Sequence, residues 1–225
     1  EVSLAHHGVL FLDELPEFDR QVLEVLREPL ESGSIIVSRA ARQAEFPACF
    51  QLVAAMNPCP CGHHGDKAGR CRCPPERVAA YRSRVSGPLL DRIDLHVEVS
   101  RVTSEELAAD ARTESTAVVA ARVARARASQ FARQGTLNAK LLADALRDAC
   151  AAEPAALELL ARAMRQLGLS ARGYHRVLRV ARTIADLAGA ARVGIAHVAE
   201  AISLRQLDRR TDPNCDQVAR QDQSS

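Results

Sequence analysis

Gly8-Val9-Leu10-Phe11-Leu12-Asp13-Glu14 constrains the fold of this chain more than any other segment. Four consecutive apolar residues suit a central parallel strand covered on both faces, and here the run stops abruptly at two adjacent carboxylates. Acids at that position lie on the C-terminal edge of an open α/β sheet, which is the edge where ligands bind. In nucleotide hydrolysis such a pair divides the work. The first carboxylate holds Mg2+, directly or through water, and the second orients the attacking water. The competing reading is an Asp-Glu pair that merely caps a helix opening near Pro16.

A second, mostly apolar run from Phe50 to Met56 predicts a partner strand and ends in Asn57-Pro58. Asn57 would reach the same edge, where a side-chain amide can sense a γ-phosphate or hold water; otherwise it is a turn residue before proline. Between the two runs, Pro16 suits a first helical turn, Phe18, Val22, Leu26 and Leu30 recur at helical spacing, and Glu31-Ser32-Gly33 ends the helix. Ile35-Ile36-Val37 and Gln43 to Phe46 then flank Ser38 to Arg42, predicting a β-hairpin with a basic tip. Arg39 and Arg42 at that tip either offer two guanidinium groups to phosphates or keep an edge strand soluble. Leu95 to Val99 alternates like a further strand, and Arg92 stands between Asp91 and Asp94 just before it. An arginine so placed acts on phosphate or forms a local salt bridge.

From Thr103 the pattern changes to Ala-, Leu- and Arg-rich helices, predicted over 103–134, 136–150, 154–167, 170–188 and 195–208. Gly135 and Gly168 are stop signals and Ser170 is an N-cap. The expected organisation is an α/β core over 1–99, an α-helical domain over 100–211 and a flexible polar tail over 212–225. Charge divides along the same line: 11 basic and 14 acidic residues up to position 99, then 19 and 14. With no Trp and 3% aromatic residues, the chain offers few stacking platforms for single strands or sugars. No apolar run approaches the roughly 20 residues of a membrane helix, and no signal peptide opens the chain, so a cytoplasmic protein without membrane contact is expected.

Taken together, Asp13-Glu14, Asn57, Arg92 and Ser170-Ala171-Arg172-Gly173 resemble, in order and spacing, the magnesium-chelatase-like AAA+ ATPases, specifically the YifB/ComM family. The likeness extends from Leu4-Ala5-His6-His7-Gly8 through Arg179 to Leu187 and on to Glu200-Ala201-Ile202. The resemblance implies the second half of an AAA+ core followed by a helical lid, with ATP and Mg2+ as cofactors. It implies a Walker B pair (Asp13, Glu14), a sensor-1 (Asn57), an arginine finger offered to a neighbouring subunit (Arg92) and a sensor-2 arginine (Arg172). It further implies a self-assembled ring, such as a hexamer, acting on DNA as a helicase in branch migration. No G-x-x-x-x-G-K-[ST] motif occurs in the chain, so the phosphate-cradling loop is missing. The chain is accordingly expected to be the C-terminal part of a longer protein, inactive as an ATPase by itself.

Cys59-Pro60-Cys61 and Cys71-Arg72-Cys73 form two C-x-C pairs nine residues apart. Two such pairs can converge four thiolates on one tetrahedral zinc, although C-x-x-C would be the stronger spacing. His63 or His64 could replace a thiolate, and reduced thiols, disulfides or an iron–sulfur cluster stay open as alternatives. Cys49, Cys150 and Cys215 have no close cysteine in sequence and are read as unliganded. The metal-chelatase subunit proper typically lacks such an insert between sensor-1 and finger, so the resemblance favours the DNA-linked branch.

Overall fold

The computed structural model describes residues 1–39, 42–65, 69–100, 102 and 114–205. The chain divides into two compact units, Glu1–Ile93 and Asp94–Ser225. The architecture is mixed α/β with a small parallel sheet.

In the first unit, strand β1 (Val9–Leu12) pairs in parallel with a strand at Gln51–Ala54, in the register Val9 to Gln51 through Leu12 to Ala54. The ladder continues past both ends. Gln51 N donates to Gly8 O and Ala55 N to Leu12 O. The parallel pairing is as expected, but the complete burial is not: Val9 and Phe11 are 59% and 60% exposed, and Val53 is 40% exposed. A two-stranded ladder has two open edges, and the described elements of this unit cover only its other face, where Leu10, Leu12, Leu52 and Ala54 are half-buried.

After β1 comes a 3-10 turn, Leu15–Glu17, and the predicted single helix resolves into α1 (Arg20–Val25) and α2 (Arg27–Ser32). Asp19, not a residue near Pro16, starts α1, its carboxylate accepting from Gln21 N. The break at Leu26 lets Pro29 sit within the first turn of α2, where its missing N–H costs nothing. Leu23 and Leu26 are buried, whereas Phe18 and Val22 are exposed. Gly33, at φ 74, closes α2 in a left-handed conformation that only glycine adopts without strain.

The hairpin follows as β2 (Ser34–Arg39) and β3 (Arg42–Pro47), antiparallel, with Arg39 opposite Arg42. Its strands run further than the apolar residues indicated, which puts both arginines inside the ladder; their side chains lie outside the described residues. The strand Gln51–Ala54 is β4. Two helices not anticipated from the pattern complete the unit: α3 (Pro75–Arg82), opened by Pro74-Pro75, and α4 (Gly87–Leu90), capped by Ser86 accepting from Leu89 N.

The second unit is helical: α5 (Thr116–Gln134), α6 (Ala143–Cys150), α7 (Pro154–Leu167), α8 (Ala171–Leu187) and α9 (Ile195–Ser203). Gly135 and Gly168 end α5 and α7 in left-handed conformations, and Ser170 accepts from Gly173 N at the start of α8, as the sequence predicts. Leu146, Leu160, Val177, Ala181, Val193 and Val198 form its fully buried core. The predicted helix over 136–150 starts only at Ala143, after a 3-10 turn at Asn138–Lys140. The reason is Asn138, whose side chain is drawn inward to donate to Thr183 Oγ1 and Asp186 Oδ2. The alternating segment at Leu95 to Val99 is not a strand: it makes one bridge, His96 to Arg205, with His96 N donating to Leu204 O. Alternation needs a neighbouring strand, and among the described residues this segment meets the chain just past α9. Positions 103–113 of the first predicted helix, the end of the last, the tail and Cys215 lie outside the described residues. Among the described residues no helix is long and apolar enough to cross a membrane.

Candidate functional site

The acidic pair stands where the parallel ladder ends. Leu15 N donates to Ala55 O at 2.9 Å, and Ala55 N donates to Leu12 O at 2.9 Å. One residue of β4's extension therefore ties both sides of the Asp13-Glu14 dipeptide, which projects as an exposed corner between them. Asp13 Oδ1 accepts from Glu14 N at 2.9 Å. Glu14 itself is held at φ 51, ψ 45, a left-handed conformation that costs a non-glycine residue on the order of 1 kcal/mol. Among the described residues His7, at φ 60, and Ala151, at φ 41, share this conformation.

Asn57 lies two residues beyond Ala55, exposed, at the same end of the ladder, with its amide against Gly62. The structure therefore brings Asp13, Glu14 and Asn57 to one edge. It does not place Arg92 with them in the same way. Arg92 is bound among the elements after the hairpin and α2, donating to Arg27 O at 3.1 Å, Pro88 O at 2.8 Å and Glu31 Oε2 at 2.5 Å. Its carboxylate partner Glu31 is 61 residues away in sequence. Arg172 belongs to the other unit, exposed in the first turn of α8.

The cysteines converge. Cys59 Sγ lies 3.4 Å from Cys61 Sγ and 3.8 Å from Cys71 Sγ, Cys61 and Cys71 are 3.8 Å apart, and all four sulfurs fall within 4.8 Å of one another. Four thiolates about 2.3 Å from a tetrahedral zinc stand about 3.8 Å apart, so this spacing fits a zinc-sized ion. None of these cysteines is disulfide-bonded, and the converging set contains neither His63 nor His64. Cys59 is fully buried and the other three are partly or fully open. The electrostatics fit a cation as well. Backbone hydrogen bonds from His63 and Arg72 lower Cys61 to about 6, whereas at Cys71 the Cys73 backbone pulls down but burial and the adjacent sulfurs prevail, pushing it up to about 11. Four thiols this close shed their protons together only against a positive charge.

Three residues that the sequence reading passed over frame this site. Tyr81 and Arg82, at the end of α3, and Arg84, just beyond it, contact the segments around the acids, Asn57 and Cys59. Arg82 Nε donates to Pro58 O at 3.1 Å, and Arg84 Nη1 donates to Pro16 O at 3.1 Å and to Glu17 Oε2 at 2.9 Å. The signal was present: Pro74-Pro75-Glu76 opens a helix, with Val78, Tyr81 and Val85 at helical spacing.

Comparison with known proteins gives the family. The family model for magnesium chelatase, subunit ChlI, matches residues 1–107, and the model for its C-terminal region matches residues 113–205. The chain belongs to the magnesium-chelatase-like family. Within it, the chain is 47% identical over 93% of its length to competence protein ComM of Haemophilus influenzae and 47% identical, over the same share, to uncharacterized protein YifB of Escherichia coli. An uncharacterized protein of Mycobacterium tuberculosis is 44% identical over 93% of the chain. The resemblance to the YifB/ComM group drawn from the motifs is thus borne out. The chain spans 41% of the Haemophilus and Escherichia relatives and 42% of the mycobacterial one.

Proposed function

We propose that this magnesium-chelatase-like chain supplies the acid and sensor half of an Mg2+-dependent ATP-hydrolysing site, in a protein that assembles with itself into a ring and remodels DNA. The observation that carries the reading is the corner at the end of β1. Two acids meet Asn57 at one sheet edge there, and Glu14 is held in a strained conformation.

In this reading Asp13 holds Mg2+, which supplies charge neutralisation at the phosphates. Glu14 accepts a proton from the attacking water, and Asn57 orients that water by its amide. Arg92 is the cation offered to a neighbouring subunit, which requires it to exchange Glu31 for phosphate. Arg172 is the cation contributed by the helical unit, which acts as the lid. Cys59, Cys61, Cys71 and Cys73 hold a structural zinc, with all four coordination positions filled by sulfur and none left for water. Arg39 and Arg42 of the hairpin contact DNA phosphates. Action on DNA, such as branch migration, is supported by the relationship to a competence protein and by the cysteine insert.

The test is a full-length protein carrying this segment, assayed for Mg2+-ATPase activity with and without DNA. Turnover abolished by Glu14→Gln and stimulated by DNA supports the reading. DNA-independent turnover points to a motor with another client, such as a metal-chelatase complex. Absent turnover points to a non-catalytic assembly domain.

A further inference from the structure

The cysteine cluster and the acidic corner are joined by a closed mechanical path. Cys59 follows Asn57-Pro58 directly, and Cys71 and Cys73 lead through Pro74 into α3. At the far end of α3 the chain returns to its starting point, because Arg82 Nε donates to the carbonyl of Pro58. The loop is thus closed twice, by the four sulfurs at one end and by Arg82 at the other.

Next to Arg82, Tyr81 is 6% exposed. Burial raises its hydroxyl, Glu17 and Glu14 add to the effect, and the Asn57 backbone opposes it. Arg84 extends the same contact to the turn after Glu14 through Pro16 O and Glu17. One short segment, 81–84, therefore touches the peptide on both sides of the proposed water site.

We propose that Arg82 is a positioning residue that locks Asn57 in place, and that closure of the cysteine cluster on a metal sets the turnover of the ATP site through this lock. This role of Arg82 rests on the one proposed above for Asn57. A carbonyl accepting from a guanidinium is a charge-assisted bond. Losing it frees the Pro58-Cys59 peptide, which directly follows Asn57, to rotate, while the acids keep the backbone bonds of Leu12 and Leu15 to Ala55.

The experiment uses a full-length protein carrying this segment and compares Arg82→Ala, Arg82→Lys, Asn57→Ala and the Arg82→Ala/Asn57→Ala double variant. Zinc content, the rate of zinc transfer to a chromogenic chelator, and kcat and KM for ATP are measured. Arg82→Ala is expected to keep its zinc stoichiometry and its KM, to lose about tenfold in kcat, the scale of one charged hydrogen bond, and to surrender zinc several-fold faster. Lysine restores most of the kcat, since it supplies one donor. The double variant is no slower than Asn57→Ala alone. Unchanged kcat, additive losses, or an unchanged rate of zinc transfer overturns the proposal. Loss of zinc as purified together with kcat also overturns it, since that is simple misfolding. If Asn57→Ala leaves turnover intact, the site reading fails, and the zinc-transfer rate still decides whether Arg82 closes the loop.

Discussion

Asp186→Asn is the most informative single perturbation of the helical unit. On α8, Asp186 accepts from Arg133 Nη1 at 2.7 Å and Nη2 at 3.0 Å, from Arg182 Nη2 at 2.8 Å and from Asn138 Nδ2 at 2.9 Å. The carboxylate is 2% exposed and Arg182 is fully buried. Asparagine keeps the volume but removes the one negative charge shared by two guanidinium groups. Breaking a buried pair costs about 3–5 kcal/mol. Here Arg182 keeps the Ala190 and Ala191 carbonyls and Arg133 keeps Asn138 Oδ1, so the lower end, about 3 kcal/mol, is expected. The sign with pH follows from the direction of the shift. Although burial opposes it, hydrogen bonds from Arg133 and Asn138 and the charge of Arg182 hold Asp186 below the ordinary carboxylate range. A lowered carboxylate stabilises the fold above the unfolded value near 3.9, and that contribution is lost as pH falls through the folded value. Urea unfolding of both chains, followed by circular dichroism from pH 7 to pH 3, reads the difference directly. A gap below about 1 kcal/mol at pH 7, or one that does not narrow in acid, would refute the reasoning.

At Glu14, two substitutions separate strain from chemistry. Glu14→Gly is expected to raise stability by about 0.5–1 kcal/mol in thermal unfolding by relieving the positive φ, and Glu14→Gln to keep ATP binding while turnover collapses in a full-length protein; no gain from glycine would mean the corner is unstrained. Protein purified without chelator is expected to hold about one zinc per chain, with Cys59→Ser losing it, whereas iron with visible absorbance would contradict the zinc assignment. Arg39→Ala with Arg42→Ala is expected to weaken binding of every DNA sequence alike and to flatten its salt dependence, and an unchanged slope would return the hairpin to a solvated edge. Arg92→Ala is expected to abolish ATPase activity with binding intact, and co-assembly with Glu14→Gln subunits to restore part of it.

The sequence alone determined features that depend on neighbours close along the chain. Gly135 and Gly168 ended helices and Ser170 began one where the pattern indicated, because a cap or a positive φ is satisfied within one turn. Val9 to Leu12 and Gln51 to Ala54 were legible as parallel strands for the same reason: a short apolar run followed by a polar stop has few other uses. The paired C-x-C spacing also foretold convergence, since a nine-residue loop brings its ends together readily.

Tertiary structure decided what depends on distant partners. Leu95 to Val99 has the right alternation, but among the described residues it meets a single bridge partner, Arg205, and not a strand. Asn138 abandons a helical position because Thr183 and Asp186, some 45 and 48 residues away, accept its amide. Arg92, flanked by two acids in sequence, pairs with Glu31 across 61 residues. The left-handed turn at Glu14 and the return of Arg82 to Pro58 likewise leave no local trace, because each is imposed by a contact that forms only once the sheet edge and α3 are in place.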